Sequence, residues 1–140
     1  MKNLILVLVF LLGFMSNAQS NFTLVNKNKK TRGITKMNFH KDARGDFYVR
    51  IYASCSPKDC GWGRFRVRQN KGYKEQLTRT NRKWLNYYMP IKVKESFVTR
   101  TVTVYQNSDP QIRSRKVIVK SDYYNKKRSD RVHTYLMKFN

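Results

Sequence analysis

The sequence predicts an all-β fold, a single antiparallel meander of about eight strands, for which a barrel is preferred over a two-sheet sandwich. Two observations support this class. From Asn21 onward, apolar and polar residues alternate with the period of two expected of β-strands, and turn-forming residues separate the runs. Most connections are short, which favours antiparallel neighbours, and pairing the last strand with the first would leave no exposed sheet edge.

The chain is predicted to consist of a signal peptide at 1–18 and one secreted β-domain at 19–140. Lys2 precedes an apolar run at 4–15, and Ala18 ends a stretch with the small residues that a signal peptidase recognises. The apolar run is shorter than the roughly 20 residues that a membrane-spanning helix needs. We therefore expect cleavage near Ala18, a secreted or periplasmic location and no transmembrane segment in the mature chain.

The first three strands are predicted from apolar residues spaced two apart. The residues expected to share one face are Phe22 and Leu24 in the first strand, Thr35, Met37 and Phe39 in the second, and Phe47, Val49, Ile51, Ala53 and Cys55 in the third. The third strand has the clearest pattern, because Tyr48, Arg50 and Tyr52 take the alternate positions. One of its faces is therefore core and the other is solvent-exposed.

The remaining strands follow with less regular spacing. Phe65 and Val67 alternate with arginines in the fourth strand, and a short strand is predicted near 73–77 within a basic connection. A strand at 85–93 contains Pro90, which must lie at an edge or a bulge because proline cannot donate a ladder hydrogen bond. The last three strands are predicted around Val98–Tyr105, at Arg115–Tyr123, and at the end of the chain, where His133, Tyr135, Met137 and Phe139 share a face.

Cys55 and Cys60 are predicted to form a disulfide, because an exported chain meets an oxidising compartment and four residues separate the pair. So short a loop contributes about 2 kcal/mol and mainly fixes local geometry. The spacing is not that of a C-x-x-C redox motif. A metal site would need more ligands than the two histidines, His40 and His133, can add. No cofactor and no metal are predicted.

Three stretches of the chain carry a family resemblance. They are Thr31-Arg32-Gly33-Ile34-Thr35, the loop Cys55-x-Pro57-x-Asp59-Cys60-x-Trp62-Gly63, and Arg128-Ser129-Asp130-Arg131 before a terminal strand with Tyr135, Met137 and Phe139. Together they resemble a largely uncharacterised family of small secreted bacterial domains with a C-x-P-x-D-C-x-W-G motif. Lys58, Gly61 and Phe22 depart from the family pattern. The resemblance implies export and β-structure, and it implies no particular reaction.

The charge of the chain is strongly one-sided. It has 30 Lys and Arg residues against 8 Asp and Glu residues, a formal net charge of +22, which attracts polyanions at low salt. The residues predicted to bind a polyanion are Arg64, Arg66, Arg68, Lys29, Lys30, Arg32, Arg113, Arg115, Lys116, Lys126, Lys127 and Arg128. The first three follow one strand face at about 7 Å intervals. Trp62 and Trp84 are candidates to stack on the ligand, and Trp62 alternatively plugs one end of the barrel.

The sequence therefore predicts a secreted, non-enzymatic binding domain that engages a polyanion through a basic, aromatic-interleaved face. The polyanion would be extracellular nucleic acid, acidic polysaccharide or an anionic cell or membrane surface. Two alternatives are a small-ligand-binding β-barrel, with the cysteine loop fixing its mouth, and a structural component of an extracellular matrix. No catalytic residues are predicted, because the sequence has neither a nucleophile elbow nor a glycine-rich phosphate loop. The oligomeric state is left open.

Overall fold

The computed structural model describes residues 21–73, 75, 76, 82–125 and 127–140, and the predicted signal peptide at 1–18 lies outside this part. Within it, nine antiparallel strands form one sheet. In chain order they are β1 (Phe22–Asn26), β2 (Ile34–Lys41), β3 (Phe47–Ala53), β4 (Cys60–Arg66), β5 (Trp84–Asn86), β6 (Ile91–Lys94), β7 (Val98–Asn107), β8 (Arg115–Tyr123) and β9 (Arg131–Phe139). The predicted all-β class and the single meander are confirmed.

The first and last strands of the chain pair with each other. The order of the sheet is β4-β3-β2-β1-β9-β8-β7-β5, and β6 also pairs with β7. Leu24 lies opposite Phe139 and Asn26 lies opposite Met137, so β1 and β9 form an antiparallel ladder. The predicted first-to-last pairing is therefore present, but it does not close the barrel, because β4 and β5 remain at the two ends of the sheet order. A sandwich would divide the strands between two sheets, whereas the described strands form one sheet that curls into a half-barrel.

The half-barrel opens between β4 and the edge formed by β5 and β6. At one point the two sides of this seam are joined. The amide of Asn70 donates to the carbonyl of Tyr87 at 2.9 Å, and the amide of Met89 donates to the carbonyl of Arg68 at 2.8 Å. Gln69 and Tyr88 form an isolated bridge between these bonds. The seam is thus held by a short ladder just beyond β4, and among the described strands β4 itself forms no ladder with β5 or β6.

The strand predicted at 85–93 is divided into two. β5 pairs with the last residues of β7, while β6 pairs with its first half, where Ile91 lies opposite Val102. Pro90 lies in the gap between them, consistent with its lack of an amide donor. This division lies where the sequence indicated an edge or a bulge, and it adds one strand to the sheet.

The short strand predicted near 73–77 was wrong. Tyr73, Glu75 and Gln76 have helical backbone, and the amide of Gln76 donates to the carbonyl of Gly72 at 3.0 Å. The Tyr73 ring packs edge-on against Tyr87, with 4.7 Å between ring centroids. This aromatic contact and the hydrogen bond that the Asn86 amide donates to Oε1 of Gln76 at 3.2 Å anchor the turn against β5.

The core lies on the concave face of the sheet. Its fully buried members include Leu24, Met37, Phe39, Val49, Ile51, Val102, Val117 and Met137. At one end of the half-barrel, Phe39 stacks on Phe22 with 4.6 Å between centroids and contacts Tyr88 at 5.6 Å. Burying a side chain such as Phe39 contributes about 1.5–3 kcal/mol. Aromatic rings therefore fill this end, and the opposite end, near Gly33 and Trp62, is the one that stays open.

Candidate functional site

The cysteine loop connects β3 to β4 and is tied to β2. Cys55 and Cys60 form the predicted disulfide, and the Ser56–Pro57 peptide bond is cis. The hydroxyl of Thr35 donates to Oδ2 of Asp59 at 2.7 Å. Asp59 thus holds the loop against the neighbouring strand, which is a structural role. The loop fixes where β4 begins.

A β-bulge in β4 sets the direction of Trp62. Ile51 lies opposite Gly63 and Tyr52 lies opposite Gly61, so Trp62 is an extra residue on β4. Gly63 has a φ of +123°, a conformation that residues with a Cβ rarely adopt. Bulges of this kind change the direction of a side chain beside a functional surface. The Trp62 side chain packs, half-buried, against the core.

A set of basic and aromatic side chains occupies the convex face of β2, β3 and β4. We call this set the outer basic face, and its members are Lys36, Asn38, His40, Tyr48, Arg50, Tyr52, Arg64 and Arg66. The pairing register brings them side by side, since Arg50 lies opposite both Asn38 and Arg64. Neighbouring strands are about 4.8 Å apart and alternate residues of one strand about 7 Å apart. The face is therefore a dense grid with cations between rings.

Aromatic contacts position the cations of this face. The guanidinium of Arg64 lies 3.7 Å from the ring centroid of Tyr48, and its Nε donates to Nε2 of His40 at 3.1 Å. The ammonium of Lys36 lies 4.6 Å from the ring centroid of Tyr52. Each contact of this kind contributes about 0.5–1 kcal/mol at an exposed site. The charges are thus held close to the sheet.

Carboxylates neutralise little of the outer basic face. Arg66 pairs with Asp46 at 3.0 Å, and side-chain exposures of 55% and 36% make this pair weak. The other ion pairs among the described residues, Arg100–Glu95 and Lys120–Asp122, lie outside this face. Within the described part of the chain, Lys36, Arg50 and Arg64 therefore have no carboxylate at ion-pair distance.

A second candidate site is a cavity of about 600 Å³ at the open end of the half-barrel. We call it the end cavity. It is bordered by four cations, Lys30, Arg32, Arg100 and Arg131, and by the rings of Trp62, Tyr123, His133 and Tyr135. None of the described residues that line it is acidic. β4, β7, β8, β9 and the β1–β2 turn all contribute to it.

The deepest charge in the end cavity is held by two partners. The guanidinium of Arg100 lies 4.8 Å from the ring centroid of Trp62 and pairs with Glu95 at 2.6 Å. Burial raises the pKa of Tyr135, and the nearby charge of Arg100 acts in the opposite direction. Gly33 packs directly against the Tyr135 ring, where a Cβ would lie 2.8 Å from Cε1. The wall is thus closely packed although the cavity is open.

The structure separates the predicted polyanion-binding residues. Arg64 and Arg66 lie on the outer basic face, and Arg68 is exposed just beyond β4. Lys30 and Arg32 border the end cavity. Their neighbour Lys29 instead lines a separate hollow that also contains Lys138 and Asp59. Lys127 and Arg128 are exposed in the β8–β9 turn, and Lys126 lies outside the described residues.

Arg115 takes a position different from the one expected of an exposed cluster. It lies opposite Gln106 and Met137 on the concave face, and its guanidinium is 4.9 Å from the ring centroid of Phe139. Desolvation lowers its pKa. Arg113 is exposed, 5.2 Å from the same ring. Lys116 points to the other face, where it approaches Trp84 at 5.4 Å, so these basic residues do not form one surface.

The sequence analysis did not name some residues of the two sites as binding residues. The period-two pattern placed Arg50 on the exposed face with Tyr48 and Tyr52, but Arg50 was not among the residues predicted to bind a polyanion. Arg100 is in phase with Val98 and Val102, which would have placed a cation on the concave face. Arg131 offers a weaker signal, because it lies at the first position of β9.

Comparisons with protein-family models, with curated proteins and with solved structures find no match to this chain. The family resemblance of the cysteine loop therefore stays a prediction. Within the described residues, no helix combines the length and the apolar character needed to cross a membrane. The same part of the chain has no group of three or more His, Cys, Asp or Glu residues placed to hold a metal ion.

Proposed function

We propose that the protein is a secreted binding domain that engages a polyanion through the outer basic face. The single observation that carries the proposal is the placement of Arg64. Its guanidinium stacks 3.7 Å from the Tyr48 ring and is held by His40, with no described carboxylate at ion-pair distance. An arginine fixed in this way keeps donors available for a phosphate, sulfate or carboxylate group and loses less entropy when it binds.

The surroundings of Arg64 support an extended ligand. Arg50 lies directly opposite Arg64, and Arg66 follows two residues later on the same strand face. Tyr48 and Tyr52 lie between these cations, and groups of charges with interleaved rings are typical of surfaces that bind single-stranded nucleic acid with little sequence preference. The proposal includes export through the segment at 1–18, which is consistent with the Cys55–Cys60 disulfide.

The proposal can be tested by measuring the affinity for a fluorescein-labelled thymidine oligonucleotide across a series of salt concentrations. Charge-driven binding to single strands weakens with salt by about 0.7 logarithmic units per tenfold increase for each phosphate neutralised. The double variant Arg50→Gln/Arg64→Gln should therefore reduce the slope by about 1.4. We expect its affinity at low salt to fall at least tenfold.

A matched control removes the same charge elsewhere. Lys120→Gln/Lys138→Gln loses two exposed cations from β8 and β9, on the other side of the sheet order. We expect this variant to keep nearly the whole affinity and slope of the unmodified protein. Equal losses in both double variants would show that net charge alone causes binding. Binding that does not respond to salt would refute the proposal outright.

A further inference from the structure

We infer that the end cavity is a separate binding site for a small organic anion that carries a ring, such as an acidic sugar or a nucleoside monophosphate. The inference does not depend on the outer basic face. It rests on which residues occupy the concave face of β7, β8 and β9 near this end.

One polar row interrupts the apolar residues of the concave face beside the cavity, between Val102 and Val98 of β7. Near the middle of the sheet, the register aligns Val102 with Val119 and Val104 with Val117, as in an ordinary core. Two residues towards the open end, Arg100 lies opposite Ser121. Ser121 is only 4% exposed. A sequence selected only to fill a barrel would keep this row apolar as well, and such departures are typical of functional sites.

The charge of the cavity selects for an anion. Arg100 is paired with Glu95, and Asp130 near the rim accepts a hydrogen bond from the amide of Tyr123 at 3.2 Å. Arg32 and Arg131 are exposed at the mouth, and within the described part of the chain neither forms an ion pair. An anionic group of the ligand would meet these two arginines first.

The walls of the cavity provide flat surfaces for a ring. Trp62 is directed inward by the bulge in β4, and the His133 and Tyr135 rings lie nearly parallel, with an interplanar angle of 20° and 6.3 Å between centroids. Small-molecule sites commonly have volumes of about 300–1,000 Å³, so 600 Å³ accommodates one sugar or nucleotide unit. The cations at the mouth and the aromatic rings inside the cavity together fit a small ligand that has one ring and one anionic group.

The test uses Trp62 as the reporter. The chain has two tryptophans, so Trp84→Phe leaves Trp62 as the single source of tryptophan fluorescence. This variant is titrated with glucuronate and with uridine 5′-monophosphate, and in parallel with glucose, uridine and inorganic phosphate. We expect one of the two acids to give a saturable change at a concentration at least tenfold below its neutral counterpart and inorganic phosphate. Which acid does so distinguishes a sugar ligand from a nucleotide.

Charge variants complete the test. Arg32→Gln/Arg131→Gln in the same background should weaken binding of that acid at least tenfold and leave the melting temperature unchanged, because both side chains are exposed. Arg64→Gln, on the outer basic face, should have no effect on this titration. The inference is overturned if neither acid gives a saturable change, if a neutral compound binds equally well, or if the arginine pair can be replaced without loss. Oligonucleotide binding is read separately, so either proposal can fail alone.

Discussion

Replacing Gly33 with alanine tests how closely the wall of the end cavity is packed. A methyl group built at this position overlaps the Tyr135 hydroxyl and lies 2.8 Å from ring carbon Cε1. Non-bonded carbon atoms normally lie about 3.5–4.0 Å apart. The Gly33 backbone has little freedom to retreat, because its carbonyl accepts from the Ser54 amide at 2.9 Å and its amide donates to Thr31 Oγ1 at 3.1 Å. Tyr135 must therefore move.

The expected cost follows from this overlap. Inserting one carbon into a well-packed site typically destabilises a protein by about 1–3 kcal/mol. Tyr135 is half-buried and can swing towards the open cavity, so we expect Gly33→Ala to lower the free energy of unfolding by about 1–2 kcal/mol. The displaced ring would also occupy part of the proposed ligand site.

A double-mutant cycle isolates the contact. Unfolding in urea is measured for Gly33→Ala, Tyr135→Ala and the pair. Without the ring, the added methyl has room, so Gly33→Ala should cost less than about 0.5 kcal/mol in the Tyr135→Ala background and the coupling should reach about 1 kcal/mol. The same loss in both backgrounds would mean that the cost arises in the backbone. No loss in either would refute the packing argument.

Two further predictions concern alkaline pH and the disulfide. Burial raises the pKa of Tyr88, so its neutral form stabilises the fold below about pH 10 and this stability is lost as the pH rises towards the folded-state pKa. Urea unfolding at pH 9.5 and pH 11 should show a loss about 1 kcal/mol larger in the unmodified protein than in Tyr88→Phe, and equal losses would contradict the assignment. Cys55→Ser/Cys60→Ser should lower the free energy of unfolding, measured in urea, by about 2 kcal/mol. Reducing the disulfide of the unsubstituted protein should give the same loss. A loss above about 5 kcal/mol would show that the loop organises more than its own geometry.

Strand periodicity predicted the fold because most strands bury a single face. Phe47, Val49 and Ile51 alternate without interruption, and β3 follows them residue by residue. The first-to-last pairing was expected on a different ground, because it leaves fewer sheet edges exposed. The residues beyond β4 that join the seam could not be foreseen, because they are polar and make their contacts through backbone groups whose partners no side-chain pattern reveals.

The two candidate sites depend on strand phase to different degrees. Arg64 and Arg66 were predicted correctly on one face of β4, because β4 is regular after Gly63. Trp62 precedes that point and is the extra residue of a bulge, which shifts the alternation by one position and hides the direction of its side chain. Arg115 was grouped by sequence neighbourhood with Arg113 and Lys116, although β-strand geometry sends adjacent residues to opposite faces.

Because β4 lies at the seam of the half-barrel, its arginines have a second effect. Among the described strands, β4 ends the sheet order, and only the short ladder beyond it joins it to the other side. An unpaired strand edge is a template for another copy of the same chain. Antiparallel addition of a second β4 would bring Arg64 and Arg66 of the two copies to within about 5 Å, where like charges repel. The side chains proposed to attract a polyanion thus also oppose growth of the sheet into a fibril.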